Sequence, residues 1–300
     1  MPILRTCTQL NLHKYSKDDV CEYFRQGIEF HKNAGFDALD FPMKEIAVML
    51  SEKSDVNYKR CIKQVKSDAS NYDIRFEICH LPFTIWNRIS HSSSMVKKFE
   101  KMMMTSVEAA ALLDVDYAVL HPNSVTINKD DFCEEKEFEI CMKHLSPIAD
   151  YAKKLGVKLA LENLASSYVG EDLYRYGQRA EEICKMADAL GIGICWDFGH
   201  ANIAGANQSS ELEIVGSRLC VLHINDNNGL SDDHLLPCMG TVDWNDAMSG
   251  LKKIEFNGLL NFEIATTALP GCLRTSFAKY LMDTAGELYS YYSKQGDLHE

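Results

Sequence analysis

His, Asp and Glu recur at one kind of place in this chain, the end of a short apolar run. The runs are Glu77-Ile78-Cys79-His80, Ala118-Val119-Leu120-His121, Leu159-Ala160-Leu161-Glu162, Cys195-Trp196-Asp197, Val221-Leu222-His223 and Asn261-Phe262-Glu263. Carboxylate oxygens combined with imidazole nitrogens suit Mn, Fe, Co or Zn as divalent ions. Carboxylates crowded together without a cation repel one another and raise each other's pKa values. A divalent ion removes that penalty and can polarise a substrate carbonyl or hydroxyl. Glu162 and Glu263, arriving from different runs, suit a pair in which one carboxylate takes a proton from carbon and the other returns it. A lone strand-end His is more often a hydrogen-bonded structural residue than a ligand. Six polar residues in the same register are a different matter.

Such a convergence needs a scaffold whose successive strands end on one face. Strands are predicted over 35–41, 75–80, 116–121, 157–162, 191–197, 219–225 and 258–264, with a first strand near 3–8. Turn signals such as Asn33-Ala34-Gly35 and Lys154-Leu155-Gly156 precede several of them. Helical periodicity predicts helices over 18–32, with Ser16 and Asp18 as caps, and over 95–113, 132–154, 180–190 and 273–292. Phe99, Met103, Val107 and Ala110 fall at helical spacing, and the Met102-Met103-Met104 run reads as core packing. About eight strand–helix units without linker or low-complexity tract predict an α/β fold, a (β/α)8 TIM barrel forming one domain over residues 1–300. An open doubly wound sheet shares the alternation, but no glycine-rich phosphate fingerprint follows an early strand.

Composition narrows the partners. The formal charge is −12, from 31 basic and 43 acidic residues, with no dense Lys/Arg cluster. That weighs against nucleic acid, whose phosphates are met by a basic face. The cysteines number 11, an odd count without a C-x-x-C pair, and Cys79, Cys184, Cys195 and Cys220 sit singly in apolar segments. They read as reduced thiols serving as small hydrophobes in a cytosolic protein. No apolar leader core follows Met1 and no apolar stretch approaches about 18 residues, so a cytoplasmic chain without a membrane span is expected.

At the strand-end residues the chain resembles the xylose isomerase-like TIM-barrel superfamily, in its sugar or sugar-phosphate isomerase/epimerase branch. The matching elements are His80-Leu-Pro-Phe, His121-Pro-Asn, Leu161-Glu162-Asn163, Trp196-Asp197-Phe198-Gly199-His200 and Leu222-His223-Ile224-Asn225-Asp226. Asp232-Asp233-His234-Leu-Leu-Pro-Cys-Met-Gly240-Thr-Val-Asp243-Trp244 and Gly258-Leu-Leu-Asn-Phe-Glu263 follow in the same order. The first 70 residues match only as a generic barrel start. For ketose 3-epimerases of that branch, the resemblance implies one divalent metal ion (Mn, Co, Zn or Fe) held by Glu162, Asp197, His223 and Glu263. It implies Glu162 and Glu263 as catalytic acid and base through a metal-held enediolate. It also implies His200 as a substrate contact, and we add His80, His121 and His234 as residues that orient hydroxyls. One departure stands out: the substrate-contacting Arg that those epimerases carry shortly after the strand-seven His is missing. The segment reads Ile-Asn-Asp-Asn-Asn-Gly-Leu, so the same sugar specificity is not implied.

The same positions also resemble zinc-dependent AP endonucleases. In that reading His80, His121, His200, Asp232 and His234 would carry additional metal ions for phosphodiester cleavage. A dehydratase of a cyclic polyol or inosose would use much the same residues, and a barrel that only binds metal or sugar is a third class. The charge balance favours a metal-dependent isomerase or epimerase acting on a small polyhydroxylated carbonyl substrate, as a monomer or a homo-oligomer.

Several residues have quieter readings. Trp86 and Asn87 line a sugar pocket or anchor a loop. Tyr168, Tyr174, Arg175 and Tyr176 are expected in an exposed connection rather than a lid, and Trp244 in helix-start packing. His13, His31, His91, His144 and His299 are assigned to the surface. Asp40 lies at the end of strand two without a motif and is not counted in the site.

Overall fold

Runs of Val, Ile, Leu, Ala and Cys form strands here because both of their faces are covered. The computed structural model describes residues 5–9, 20–44, 58–125, 127–165, 173–264 and 270–294. Its strands are β1 (Arg5–Gln9), β2 (Ala38–Pro42), β3 (Phe76–His80), β4 (Tyr117–Leu120), β5 (Leu159–Glu162), β6 (Gly193–Asp197), β7 (Leu219–His223) and β8 (Leu259–Phe262). They pair in parallel in chain order, and β8 returns to β1 through Arg5↔Leu259 and Thr8↔Phe262. Between β7 and β8, Ile224 N donates to Asn261 O at 2.8 Å and Glu263 N donates to Ile224 O at 3.1 Å. The eight parallel strands therefore make a TIM barrel, as the strand-end pattern requires.

The outer helices are α1 (Val20–Ala34), α2 (Tyr58–Asn71), α3 (Ser93–Leu113), α4 (Glu134–Leu155), α5 (Ala180–Leu190), α6 (Phe198–Ile203), α7 (Gln208–Val215), α8 (Trp244–Lys253) and α9 (Arg274–Lys294). In α3 the Ser92 side chain caps Met95 N, and Phe99, Met103, Val107 and Ala110 are all buried. The periodicity did not single out α2, α6, α7 or α8. α2 is mostly polar, with Cys61, Ile62, Val65 and Ala69 as its buried stripe, and α6 has only six residues. Strand two begins at Ala38 rather than at 35, because Gly35 adopts φ 99° in the preceding turn. Ser16, Asp18, His13, Tyr168, His299 and the first residues of the predicted opening strand lie outside the described residues.

Alternation along each strand is what builds the site. Cys7, Ala38, Ile78, Val119, Ala160, Cys195 and Val221 pack on one another as a layer of small side chains within the barrel. Their neighbours, such as Leu39, Leu120, Leu161, Trp196 and Leu222, pack in the main core that includes the helices. Side chains on a strand repeat with period two. The next inward positions are therefore Asp40, His80, His121, Glu162, Asp197 and His223, with Glu263 two residues beyond Asn261.

Two expectations need correction. His31 is fully buried, not on the surface: its Nδ1 donates to Gly27 O at 2.6 Å and its ring sits between Phe30 and Phe36. Tyr176 is also buried rather than in an exposed connection. The eleven cysteines are free thiols. Among the described residues, no helix is long and apolar enough to cross a membrane.

Candidate functional site

Glu162, Asp197, His223 and Glu263 each offer one ligand atom within 4.8 Å of the other three. His223 is buried, and neither ring nitrogen makes a hydrogen bond of normal geometry. Yet its Nδ1 lies 2.8 Å from Glu263 Oε2, 3.1 Å from Glu162 Oε1 and 3.9 Å from Asp197 Oδ2. Three carboxylates converging on one orphaned nitrogen form a donor set that fits a divalent cation. The charges say the same. Burial pushes Asp197 up to about 6, with repulsion from Glu162 adding to it. Burial acts to raise Glu162 too, but His223 and His121 outweigh it and hold that carboxylate well below its usual range. Burial lowers the His223 imidazole, and Cys195 together with the Glu162 and Glu263 carboxylates more than reverses this.

A second tier of histidines surrounds these residues. His80 Nε2 and His121 Nε2 lie 3.1 and 3.0 Å from Glu162 Oε2. His200 Nε2 and His234 Nε2 lie 3.4 and 3.1 Å from Asp232 Oδ2. Three of these rings are oriented by backbone carbonyls that accept from Nδ1: Leu81 O for His80, Asn163 O for His200 and Glu263 O for His234. That fixes the ring orientation and presents Nε2 to the carboxylates, as at sites where a histidine meets metal or substrate. His234 holds a left-handed backbone, φ 49°, which a non-glycine residue adopts at some energetic cost.

Asparagines brace the carboxylates. Asn163 spans β5 and β6, accepting from Asp197 N at 2.6 Å and donating to Asp197 O at 3.0 Å. Asn225 Nδ2 donates to Asp197 Oδ2 at 2.8 Å, and Asp197 Oδ1 caps α6 by accepting from His200 N. Gly199 makes room for this: a Cβ there would stand 1.9 Å from Asn225 Oδ1. We expect Gly199→Ala to destabilise the fold by about 1–3 kcal/mol, the usual range for overpacking. It should also weaken metal binding, because Asn225 must move away from Asp197. Paired melting curves with and without metal test both effects.

The segment after His223 is organised around Asp226. Asp226 is buried and accepts from Asn227 N, Val242 N, Cys238 N and Trp244 Nε1 at 2.9–3.1 Å. This stretch is a hydrogen-bonded hub holding the Asp232–His234 loop against α8. Gly240 serves the same hub, since a Cβ there would meet Asn227 O and Asp226 Oδ1 at 2.3 Å. Trp244 is thus packing, as expected.

A cavity of about 200 Å³ opens over these residues, bounded by His80, His121, Glu162, His200, Asp232, His234 and Glu263 with Phe83, Ile85 and Arg175. It is smaller than the roughly 300–1,000 Å³ of pockets for drug-sized ligands. A larger cavity, about 590 Å³, lies at the opposite strand ends near Tyr117, Val157, Gly193 and Cys220 and holds none of the site residues. In TIM barrels the chemistry sits at the C-terminal strand ends. Phe83 stacks on His121 with ring centroids 4.9 Å apart. Trp86 is buried between Phe99 and His144, so it anchors its loop while edging the cavity.

The sequence left three residues out of the site, one of them Arg175, which was expected in an exposed connection and instead lines the cavity. Asp40 occupies the same inward register as His80, and it accepts from Asn261 Nδ2 at 2.9 Å; that register was the available signal. Phe83 stood inside the His80-Leu-Pro-Phe element. Arg175 comes from a loop, where no periodicity points.

Comparison with known proteins agrees with this architecture. The chain is 28% identical over 209 residues to a protein of Methanocaldococcus jannaschii, covering 67% of this chain and 68% of that one. It is 24% identical over 178 residues to the inosose isomerase of Bacillus subtilis, covering 57% and 60%. The fold superposes on an L-ribulose 3-epimerase with a TM-score of 0.75 at 14% identity, over 99% of each chain. Residues 28–277 match the family model described as xylose isomerase-like TIM barrel. With its strand-end carboxylates and histidines set around one point of a near-closed parallel barrel, this chain belongs to the xylose isomerase-like TIM-barrel family.

Proposed function

We propose that this protein is a metal-dependent isomerase or epimerase of a small polyhydroxylated carbonyl compound. Glu162, Asp197, His223 and Glu263 hold the divalent cation, and Glu162 and Glu263 carry the proton. The observation that carries this reading is the approach of Glu162 and Glu263 to one nitrogen, His223 Nδ1, from β5 and β8. Two carboxylates from separate strands can face the two sides of a substrate carbon. The cation, when bound, would supply Lewis-acid polarisation of the carbonyl and its neighbouring hydroxyl. One glutamate then removes the proton from the carbon beside the carbonyl, and the other delivers a proton to it. His200 and His234 present Nε2 to substrate hydroxyls, together with His80 and His121. Phe83 helps exclude water above His121. The names inosose isomerase and L-ribulose 3-epimerase among the related proteins support this chemistry.

The test is proton exchange. The Mn- or Co-loaded chain, incubated with a ketose panel in deuterated water, should place deuterium on the carbon beside the carbonyl, and chelation should stop it. Incision of an abasic-site duplex with no deuterium in any ketose would sink the proposal. One observation favours that second, nuclease reading: the pairs His80/His121 on Glu162 and His200/His234 on Asp232 could serve two further ions. Elemental analysis separates the two, with one ion per chain expected for the sugar enzyme and three for the nuclease.

A further inference from the structure

His223 differs from the three carboxylates of its cluster in having a far side that must donate. A neutral imidazole that gives Nδ1 to a cation carries its proton on Nε2. That nitrogen is buried and makes no hydrogen bond among the described residues. Histidines that hold metals almost always pass this proton to a carboxylate, a backbone carbonyl or water, and the partner sets the direction of the ring.

Two acceptors stand within the barrel on nearby strands. Asn261 lies beside His223 on β8, where Ile224 N donates to Asn261 O at 2.8 Å. Asp40 follows one strand further on, because Cys7 of β1 pairs with Asn261 on one side and with Ala38 of β2 on the other. Asn261 Nδ2 donates to Asp40 Oδ2 at 2.9 Å, so the two side chains meet in the barrel interior. Both are fully buried, and Asp40 Oδ1 and Asn261 Oδ1 have no hydrogen bond among the described residues. Burial pushes the Asp40 carboxyl up, and the charge of His223 is the strongest influence pulling it back, ahead of Asn261 and His80. The Cys195 thiol faces the same ring, but a thiol is a weak acceptor. A carboxylate buried at this depth with one oxygen unused costs the fold more than an apolar residue would. Packing gives Asp40 no reason to be acidic, whereas an imidazole N–H in need of an acceptor does.

We propose that Asp40, fixed by Asn261, is a positioning residue for the metal site: its carboxylate takes the hydrogen bond of His223 Nε2 and so holds Nδ1 toward the cation. The inference rests on the ligand set proposed above and names the residue that orients it.

Binding of zinc ion alone to the full-length chain tests it without substrate. Zinc is titrated calorimetrically into the wild type, Asp40→Asn and Cys195→Ala. Asp40→Asn should bind about 10- to 100-fold more weakly, the usual loss when the partner of a ligating histidine is removed. Its amide must turn the oxygen to Asn261 Nδ2, which leaves the NH2 facing another N–H. Cys195→Ala should keep the wild-type affinity. NMR of the isotope-labelled, zinc-loaded chain should show the His223 proton on Nε2, and its signal should move upfield in Asp40→Asn as the hydrogen bond is lost. A lower melting temperature in Asp40→Asn with affinity and proton signal unchanged would make Asp40 merely structural and overturns the inference. So does loss of affinity in Cys195→Ala without loss in Asp40→Asn, or a wild-type His223 protonated on Nδ1. If Asp40→Asn does not fold, Asn261→Leu takes its place, and unchanged affinity there is equally fatal. Asp40-dependent zinc binding in a chain that exchanges no ketose proton leaves this inference standing and removes the proposed reaction. Exchange in a chain whose Asp40→Asn variant binds zinc as the wild type does has the reverse meaning.

Discussion

Glu263→Gln is expected to lower net epimerisation by about 100- to 10,000-fold, the range associated with a positioned acid or base. Gln keeps the volume and one oxygen donor, so the metal content should change far less than the rate. Glu162→Gln should stop turnover as well, but less cleanly. Glu162 is buried, and its Oε2 faces both His80 and His121 while Oε1 faces His223. An amide there must turn its NH2 toward imidazoles that currently meet a carboxylate, so metal affinity and stability should fall with the rate. The two variants also differ in isotope behaviour. If one glutamate serves each face of the carbon, Glu263→Gln leaves Glu162 able to exchange the proton of one epimer with solvent. Deuterium should then enter that epimer without net conversion, and Glu162→Gln should show the opposite preference wherever it retains metal. NMR of the recovered substrate reads both. Wild-type epimerisation in both variants would overturn the acid–base assignment.

The site was legible because a strand's period of two ties each site residue to the core beneath it. Ala160 fills the barrel interior, so Glu162 faces the mouth, and Val221 does the same for His223. The same rule places Asp40 above Ala38, and only the lack of a surrounding motif hid it. Residues held by loops follow no such rule. Arg175 reaches the cavity through a two-residue ribbon, Leu173–Tyr174 against Ile127–Asn128, and the bond of its neighbour Tyr176 to the Ser124 hydroxyl, 52 positions from Tyr176 in sequence. Its place depends on contacts that spacing does not encode. Helix faces fall between these cases. The stripe of α3 is strongly apolar and was found, whereas α2 buries Cys61, Ile62, Val65 and Ala69 among lysines and serines and was not. His31 shows the opposite failure. A histidine away from the strand ends looked like surface, yet its own helix supplies the Gly27 carbonyl that lets it lie between two phenylalanines.

Metal loading should raise the melting temperature, and the gain should shrink as the pH falls. An ion present at about 1,000 times its dissociation constant stabilises the fold by about 4 kcal/mol. At about 2 °C per kcal/mol for a chain of this size, the shift is roughly 8 °C. The pH dependence follows from the protons that the ion must displace. In the metal-free protein, Cys195 with Glu162 and Glu263 holds the His223 imidazole well above the usual range even though burial opposes them. Asp197 is pushed up to about 6, chiefly by burial. Both folded values lie above the unfolded ones. These protons therefore stabilise the metal-free fold at low pH, and that contribution is lost as the pH rises through the folded values. Binding requires both groups free of protons. Between pH 6 and the raised His223 value, one proton, from His223, leaves on loading, and affinity changes about tenfold per pH unit. Below pH 6 Asp197 joins it, and the dependence approaches about a hundredfold per unit. Calorimetry in buffers of different ionisation enthalpy counts those protons directly. The count also reports on the outer ring, where His200 is held up to about 9 and His234 up to about 10, with burial opposed by Asp197 at the first and by Asp232 at the second. His80 is also raised, since its hydrogen bond to Glu162 and the charges of Glu162 and Glu263 together outweigh burial. Ions bound there would expel the His200 and His234 protons too, so more protons would leave at neutral pH than for a single ion. A single proton released on loading supports the one-ion sugar enzyme, and a pH-independent melting shift would remove His223 from the ligand set.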